Sequence, residues 1–257
     1  VTHLHIETHG NGPTPLVMIH GWAMHGGVLA PLVDVLASDY TMYVVDLPGH
    51  GYSVDSDVPL EPLACAKAIA EATPPAIWLG WSLGGLVALT AALDLPDAVR
   101  AVVPMCSTPC FVRSDDWPYG NDAGMVRKLA SDLDADYRLT VERFIALEAM
   151  GSADPRAETR RLKDEAFSRG EPDPRVLMEG IELLESADLR PRLGELTQPS
   201  LWIAGHRDRI VHPDAMRWSA TAAGGDFIDV AHAGHAPFIG HAAAVADALK
   251  QFTDATP

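Results

Sequence analysis

Residues 76–93, AIWLGWSLGGLVALTAAL, run for 18 positions without a charge. That length touches the minimum for a membrane-spanning helix. Gly80, Ser82, Gly84 and Gly85 in its middle argue otherwise, because glycine weakens a helix and punctuates local structure. The economical reading is a buried strand, a tight turn and a buried helix. Such a unit must be covered on both sides, which calls for a sheet wrapped by helices. Gly80-Trp81-Ser82-Leu83-Gly84 is also a G-x-S-x-G sequence. Ser82 is then either a helix cap or a nucleophile on a strained strand-to-helix turn, where flanking small residues give the clearance.

The rest of the chain repeats the theme. Strand-like runs occur at 15–21, 41–51, 76–82, 101–107, 199–208 and 226–235, each ending in turn chemistry. Helix-like segments occupy 28–37, 60–72, 83–94, 213–223 and 241–252. The alternation predicts an α/β fold with a mostly parallel sheet and helices on both faces. From about 110 the strands stop, charge density rises and helical periodicity dominates. In RLTVERFIALEAM, Val141, Phe144, Ile145 and Glu148 share one helical face. The expected organisation is a core of 1–109 and 187–257 with a helical lid, 110–186, inserted into it.

Composition narrows the function. The formal charge of −16 argues against nucleic-acid or anionic-membrane binding. Three cysteines, Cys65, Cys106 and Cys110, are too few and too odd for a disulfide framework and suit a reducing compartment. Eleven histidines occur without C-x-x-C or H-E-x-x-H, so no metal is expected. VTHLHIETHGNG has no basic segment ahead of an apolar core and does not read as a signal peptide. A cytoplasmic protein is expected.

A serine nucleophile needs a base, an acid that orients the base, and an oxyanion hole. His235, after Gly234 in AHAGHAPF, follows the last strand run and is the favoured base over His206, His212, His232 and His241. Asp208, at the end of LWIAGHRD, is the favoured acid. Asp46 in VVDLPGHG is the rival carboxylate and fits a turn-stabilising role better. The N–H of Leu83, next after the nucleophile, is one oxyanion donor. The N–H of Trp22, in HGWAMHGG, is the expected second, and the Trp22 ring is a candidate wall for an acyl pocket. The H-G-W loop, the D-x-P-G-H-G loop, the G-x-S-x-G turn, the late Asp and the late His agree in chain order.

With these features the chain resembles the α/β-hydrolase superfamily and, within it, the carboxylesterases of biotin synthesis that act on a pimeloyl-carrier-protein methyl ester. The resemblance is carried by IHGWAMHGGVL, DLPGHGYS, LGWSLGGLVA, CSTPCFVRSDDWP, TVERFIALEAMG, ADLR and HAPFIGHAAAVADAL, spread over nearly the whole chain. It implies a cofactor-free enzyme with Ser82, Asp208 and His235 as nucleophile, acid and base, and Trp22 and Leu83 holding the oxyanion. Phe144, Ile145, Ala146, Leu147 and Glu148 would line the acyl channel, and Glu148 stands where an amide side chain is expected. The implied partner is an acyl carrier protein bearing a pimeloyl methyl ester, with small esters as further substrates and a monomer as the expected state.

Carrier proteins are acidic, so charge distribution matters. Residues 127–169 hold nine basic and nine acidic side chains, while the remainder holds ten and twenty-six. Arg156, Arg160 and Lys163 form one stripe on a helix, and Arg138, Arg143 and Arg161 are near in sequence. They are either a docking patch or a solvated face. Rival functions are another hydrolase of the superfamily, such as a carbon–carbon bond hydrolase or general esterase, and a non-catalytic ligand-binding relative.

Overall fold

The computed structural model describes residues 3–255. Among them lie strands β1 (Ile6–His9), β2 (Thr14–Ile19), β3 (Tyr40–Val45), β4 (Ala76–Trp81), β5 (Val99–Met105), β6 (Leu201–Gly205) and β7 (Asp226–Val230). They form one sheet in the order β1-β3-β2-β4-β5-β6-β7. All pairs are parallel except β1, which runs antiparallel along β3. Every residue of β4 and β6 is buried, as expected of strands covered on both faces. The strand reading did not include β1, a four-residue, half-buried edge strand.

Helices α1 (Ala30–Leu36), α2 (Pro62–Ala72) and α3 (Leu83–Asp94) connect the strands from β2 to β5. The sheet grows from β2 toward β3 in one direction and from β4 toward β5 in the other. Right-handed crossovers therefore put α1 on one face and α2 and α3 on the opposite one. The α3 helix is apolar on all sides and packs against β4, β5 and α2, which accounts for its uncharged sequence.

Between β5 and β6 come α4 (Ala123–Ala135), α5 (Tyr137–Glu148), α6 (Pro155–Ala166) and α7 (Pro174–Ser186). Asp122, Asp136, Asp154 and Asp173 cap them in turn, each side chain accepting a first-turn N–H. The chain then continues through α8 (Pro213–Ala223), the short α9 (Pro237–Gly240) and α10 (Ala242–Ala255), which packs on α1. No helix among the described residues is long and apolar enough to cross a membrane.

The inserted helices are tied to the sheet by buried polar groups. Arg169, between α6 and α7, donates to Glu7 at 2.8 Å and to Asp46 at 3.2 Å. Asp46 is fully buried and also accepts the N–H of Gly26 (2.6 Å) and of Tyr52 (2.9 Å). It therefore holds two loops rather than serving as a catalytic acid. His25 Nδ1 accepts the Gly27 N–H, so its Nε2–H donates to the Glu165 carbonyl at 2.7 Å. Arg169→Leu should leave Asp46 as a buried charge without a cation and lower stability by about 3 kcal/mol. Urea unfolding checks this; a loss under about 0.5 kcal/mol would mean solvent reaches Asp46.

Candidate active site

Ser82 stands between β4 and α3 at φ 53°, ψ −118°, a conformation that L-residues avoid. The turn closes tightly around it. A Cβ on Gly80 would lie 2.2 Å from the Gly84 carbonyl oxygen, and one on Gly84 would lie 2.5 Å from those of Ile19 and His20. The Ser82 N–H donates to Met105 at 3.0 Å, and the Ser107 hydroxyl donates to the Ser82 carbonyl at 2.6 Å. A capping side chain would accept a first-turn N–H, and the Ser82 hydroxyl makes no such bond. Its hydroxyl meets His235 Nε2 at 2.9 Å.

His235 Nδ1 lies 2.8 Å from Asp208 Oδ2, and both side chains are fully buried. The second Asp208 oxygen accepts the N–H groups of Ile210 (2.7 Å) and Val211 (3.0 Å), which fixes the carboxylate plane. Of the rival histidines, His206 bonds Asp229, His232 bonds Arg207 and His212 caps α8, while His241 ends α9 with its Nε2 unpartnered among the described residues. Trp81 was missed by the sequence reading. Its Nε1–H donates to the His235 carbonyl at 2.8 Å, and its ring stacks edge-on against Phe238.

The Gly21–Trp22 loop touches the nucleophile, since a Cβ on Gly21 would lie 3.1 Å from Ser82 Cβ. His20 sets this loop. Its Nε2 accepts the Leu47 N–H at 2.9 Å, so its Nδ1–H donates to the Gly21 carbonyl at 2.7 Å. Burial holds its imidazole well below the usual histidine range, with the neighbouring His50 adding to the effect. Leu83 is the first residue of α3, so its N–H has no acceptor within the helix.

A model of the alpha/beta hydrolase fold matches residues 14–242. The chain belongs to the α/β-hydrolase fold family. It is 52% identical over 250 residues to a pimeloyl-[acyl-carrier protein] methyl ester esterase of Stenotrophomonas maltophilia, covering 97% of this chain and 96% of that one. It is 49% identical to a protein of the same name from Xanthomonas oryzae pv. oryzae, covering 99% of this chain and all of the other. The esterase from Exiguobacterium antarcticum superposes with a TM-score of 0.87 at 20% identity, over 98% of this chain and 96% of that one, a likeness of fold.

As in a serine hydrolase of this family, the nucleophile opens onto a cavity, here of about 240 Å³. Phe111, Leu129, Phe144, Leu147, Ile181 and Leu184 are among its walls, with Lys128 and Asp132 paired at 2.8 Å. The α5 helix thus supplies two lining residues instead of five. Ile145 is in the core, Ala146 is exposed, and Glu148 is 1% exposed outside the cavity. The reason is angular: Val141, Ile145 and Glu148 repeat at i, i+4, i+7 and form the inward stripe, while Phe144 and Leu147 lie to one side. Glu148 therefore does not face a bound acyl chain. The Trp22 ring packs edge-on against Phe144 at 4.9 Å, with its Nε1–H donated to Leu177, and so backs the wall.

Cys106 Sγ lies within 4.8 Å of ligand atoms of Asp208 and His235. Burial, then the Asp208 charge, pushes its thiol well above the usual range. That opposes the thiolate a soft metal needs, and the two partners are already bonded to each other.

Ser82→Ala should lower ester turnover by about 10⁴-fold with the fold intact, and Asp208→Asn should act similarly through the wrong imidazole tautomer. Turnover of a p-nitrophenyl ester, with circular dichroism as the fold control, checks both; a tenth of normal activity in Ser82→Ala would place the nucleophile elsewhere. Burial also pushes His50 down to about 4, from an unfolded value near 6.5. A depressed histidine leaves its stability in place above the unfolded value and loses it as pH falls toward the folded one. Urea titrations should show about 3 kcal/mol lost to this group between pH 6.5 and 4. His50→Asn should give a shallower slope, and an unchanged slope would mean that His50 titrates normally.

Proposed function

We propose that this chain is a serine carboxylesterase that hydrolyses the methyl ester of a pimeloyl-acyl-carrier protein, in the step that frees the pimelate moiety for biotin synthesis. The observation that carries the reading is the buried Ser82–His235–Asp208 relay opening onto an apolar cavity, in a chain about half identical over nearly its full length to curated esterases of that name. Small esters would use the same relay. No cofactor is called for, and a cytoplasmic monomer remains the working expectation.

In this reading His235 Nε2 takes the Ser82 proton as Oγ attacks the ester carbonyl. The Trp22 and Leu83 N–H groups receive the developing oxyanion. The imidazolium, held by Asp208 through Nδ1–H, returns the proton to the leaving methoxide. A water molecule, deprotonated by the same histidine, then cleaves the acyl-enzyme. The cavity suits a neutral methylene chain ending in an ester. The product is an anion, and Lys128 is already paired with Asp132. The lining therefore solvates the product less well than the substrate, which favours release.

Carrier docking would use the inserted helices. Arg143, Arg156 and Arg160 are exposed and have no ion pair among the described residues. Arg138 is more engaged, pairing with Glu171 and lying over the Phe167 ring at 4.3 Å. Lys163 is drawn to Glu142 at 2.9 Å, so the stripe it was expected to extend ends at Arg160. Arg156→Glu with Arg160→Glu should raise KM for the carrier-linked ester about tenfold at low salt. The penalty should shrink toward about 0.5 M salt, and p-nitrophenyl ester hydrolysis should stay unchanged. Equal losses on both substrates would assign the two arginines to the structure of the insertion, and no loss on either would leave them as a solvated face.

A further inference from the structure

Behind the triad, outside the residues that line the acyl cavity, acid side chains are buried near one another. Glu148 is 1% exposed, and neither carboxyl oxygen has a hydrogen-bond partner. The titratable groups that face it are Asp208, from the loop after β6, and Glu158, from α6. Both are acids. Glu158 is itself buried with one unpartnered oxygen, and Asp154 is its charged neighbour. Cys106, at the end of β5, faces both Asp208 and Glu158. No cation answers them: Arg207, next to Asp208, turns its guanidinium to His232 instead. An ionised carboxyl here would be an unpaired buried charge beside the charge of Asp208, so Glu148 is held as the uncharged acid. Burial first, then Asp208 and Glu158, pushes its pKa well above the usual range.

The same residue seats the catalytic loops. The Glu148 carbonyl accepts the N–H of His235 at 3.2 Å. The turn that follows fits closely against both loops. A Cβ on Gly234 would lie 3.2 Å from the Glu148 oxygen, 3.3 Å from the Met150 oxygen and 3.3 Å from the Ser152 nitrogen. Gly151, at φ +93°, packs on the loop before Asp208, where a Cβ would come within 2.5 Å of the Arg207 carbonyl oxygen. On the other side, Glu158 reaches to 4.0 Å from the Cβ position of Gly240 in α9.

We propose that Glu148 is a positioning residue for ester hydrolysis: its uncharged carboxyl lets the 148–152 turn sit against the Asp208 and His235 loops, and loss of its proton unseats the triad and sets an alkaline limit to turnover. The proposal rests on the assignment of Ser82, His235 and Asp208 as the reacting relay. Ionisation would set a second anion against Asp208 in a buried, weakly screening interior. The turn can relieve that repulsion only by withdrawing, and the His235 N–H bond goes with it.

The test is the pH dependence of kcat for a short methyl ester, followed by pH-stat from pH 6 to 10 in wild type, Glu148→Gln and Glu148→Ala. Wild type should show a reversible alkaline fall. Glutamine keeps the shape and cannot ionise, so it should keep neutral-pH turnover within about twofold and carry the fall at least one pH unit higher. Alanine should lose turnover about tenfold at every pH, because the seat is lost altogether. Coincident alkaline limbs in wild type and Glu148→Gln, or a wild type without a limb, would overturn the proposal. If Glu148→Gln does not fold, Glu158→Gln decides: removing one facing acid makes Glu148 easier to ionise and should move the alkaline limb downward, and an unmoved limb overturns the idea. A wild type that does not hydrolyse the ester at pH 7 would instead defeat the relay assignment, which keeps the two failures apart.

Discussion

The close contact of β4 and α3 at Ser82 is the constraint from which the rest of the site follows. Gly80, Gly84 and Gly85 have no room for a Cβ, the last because Ser107 Oγ would lie 2.2 Å away. Only at that separation can one residue, in a backbone conformation that costs about 1–3 kcal/mol, turn the chain from strand to helix. The strain is offset by α3, which buries ten of its twelve residues. The same contact brings β2 and β5 to the nucleophile. The β2 end delivers the Gly21–Trp22 loop, and the β5 end delivers Ser107, whose hydroxyl holds the Ser82 carbonyl. Ser82 and the Gly21–Trp22 loop are thus fixed by backbone packing and need no mobile side chain to assemble them.

Around this apolar centre the polar supports are themselves buried. His20 fixes the Gly21–Trp22 loop, and Asp46 and His25 fix the segment that follows it. Arg169 and the Glu165 carbonyl then link those supports to the inserted helices. Each bond runs in a low-dielectric interior, where a satisfied polar network is rigid and an unsatisfied one is costly. A displacement of α6 would therefore be felt at Asp46 and His25 before it reached Trp22. The α5–α6 turn makes the matching connection to His235 and Asp208. The helices between β5 and β6 that wall the cavity at Ser82 thus also brace the loops of Asp208 and His235.

Much of this was legible in the sequence, and the gaps have physical causes. The parallel strands announce themselves because both faces are covered and the runs are continuously apolar. β1 does not, because a short edge strand carries little pattern. Asp208 and His235 could be found because each lies just past a strand end, where an open α/β sheet presents its ligands. Trp81 was hidden because a tryptophan in a buried strand reads as core, and nothing local shows that its N–H will reach a loop 154 residues away. The periodicity of α5 joined Val141, Phe144, Ile145 and Glu148, of which Val141, Ile145 and Glu148 form the buried stripe and Phe144 lies at its edge. It could not say that the cavity lies beside that stripe, against Phe144 and Leu147. For Arg138 and Lys163 the choice between docking patch and solvated face stayed open in the sequence, because their partners, Glu171 and Glu142, lie on other elements.

The burial of Glu148 also bears on how an acidic protein could receive an acidic partner. Counted from sequence, residues 127–169 balance nine basic against nine acidic groups. Glu148 is one of those acids, yet it is buried, and burial pushes its carboxyl well above the usual carboxylate range. Glu158, pushed up to about 7, is only partly ionised near neutrality and moves the balance further. The remaining negative charge is spread over the core. At physiological ionic strength the Debye length is about 8 Å, so an approaching protein senses the nearest surface rather than the total of −16. The unpaired arginines on α5 and α6 are part of that surface. Glu148 is buried beneath that surface, whereas Arg143, Arg156 and Arg160 are exposed on it.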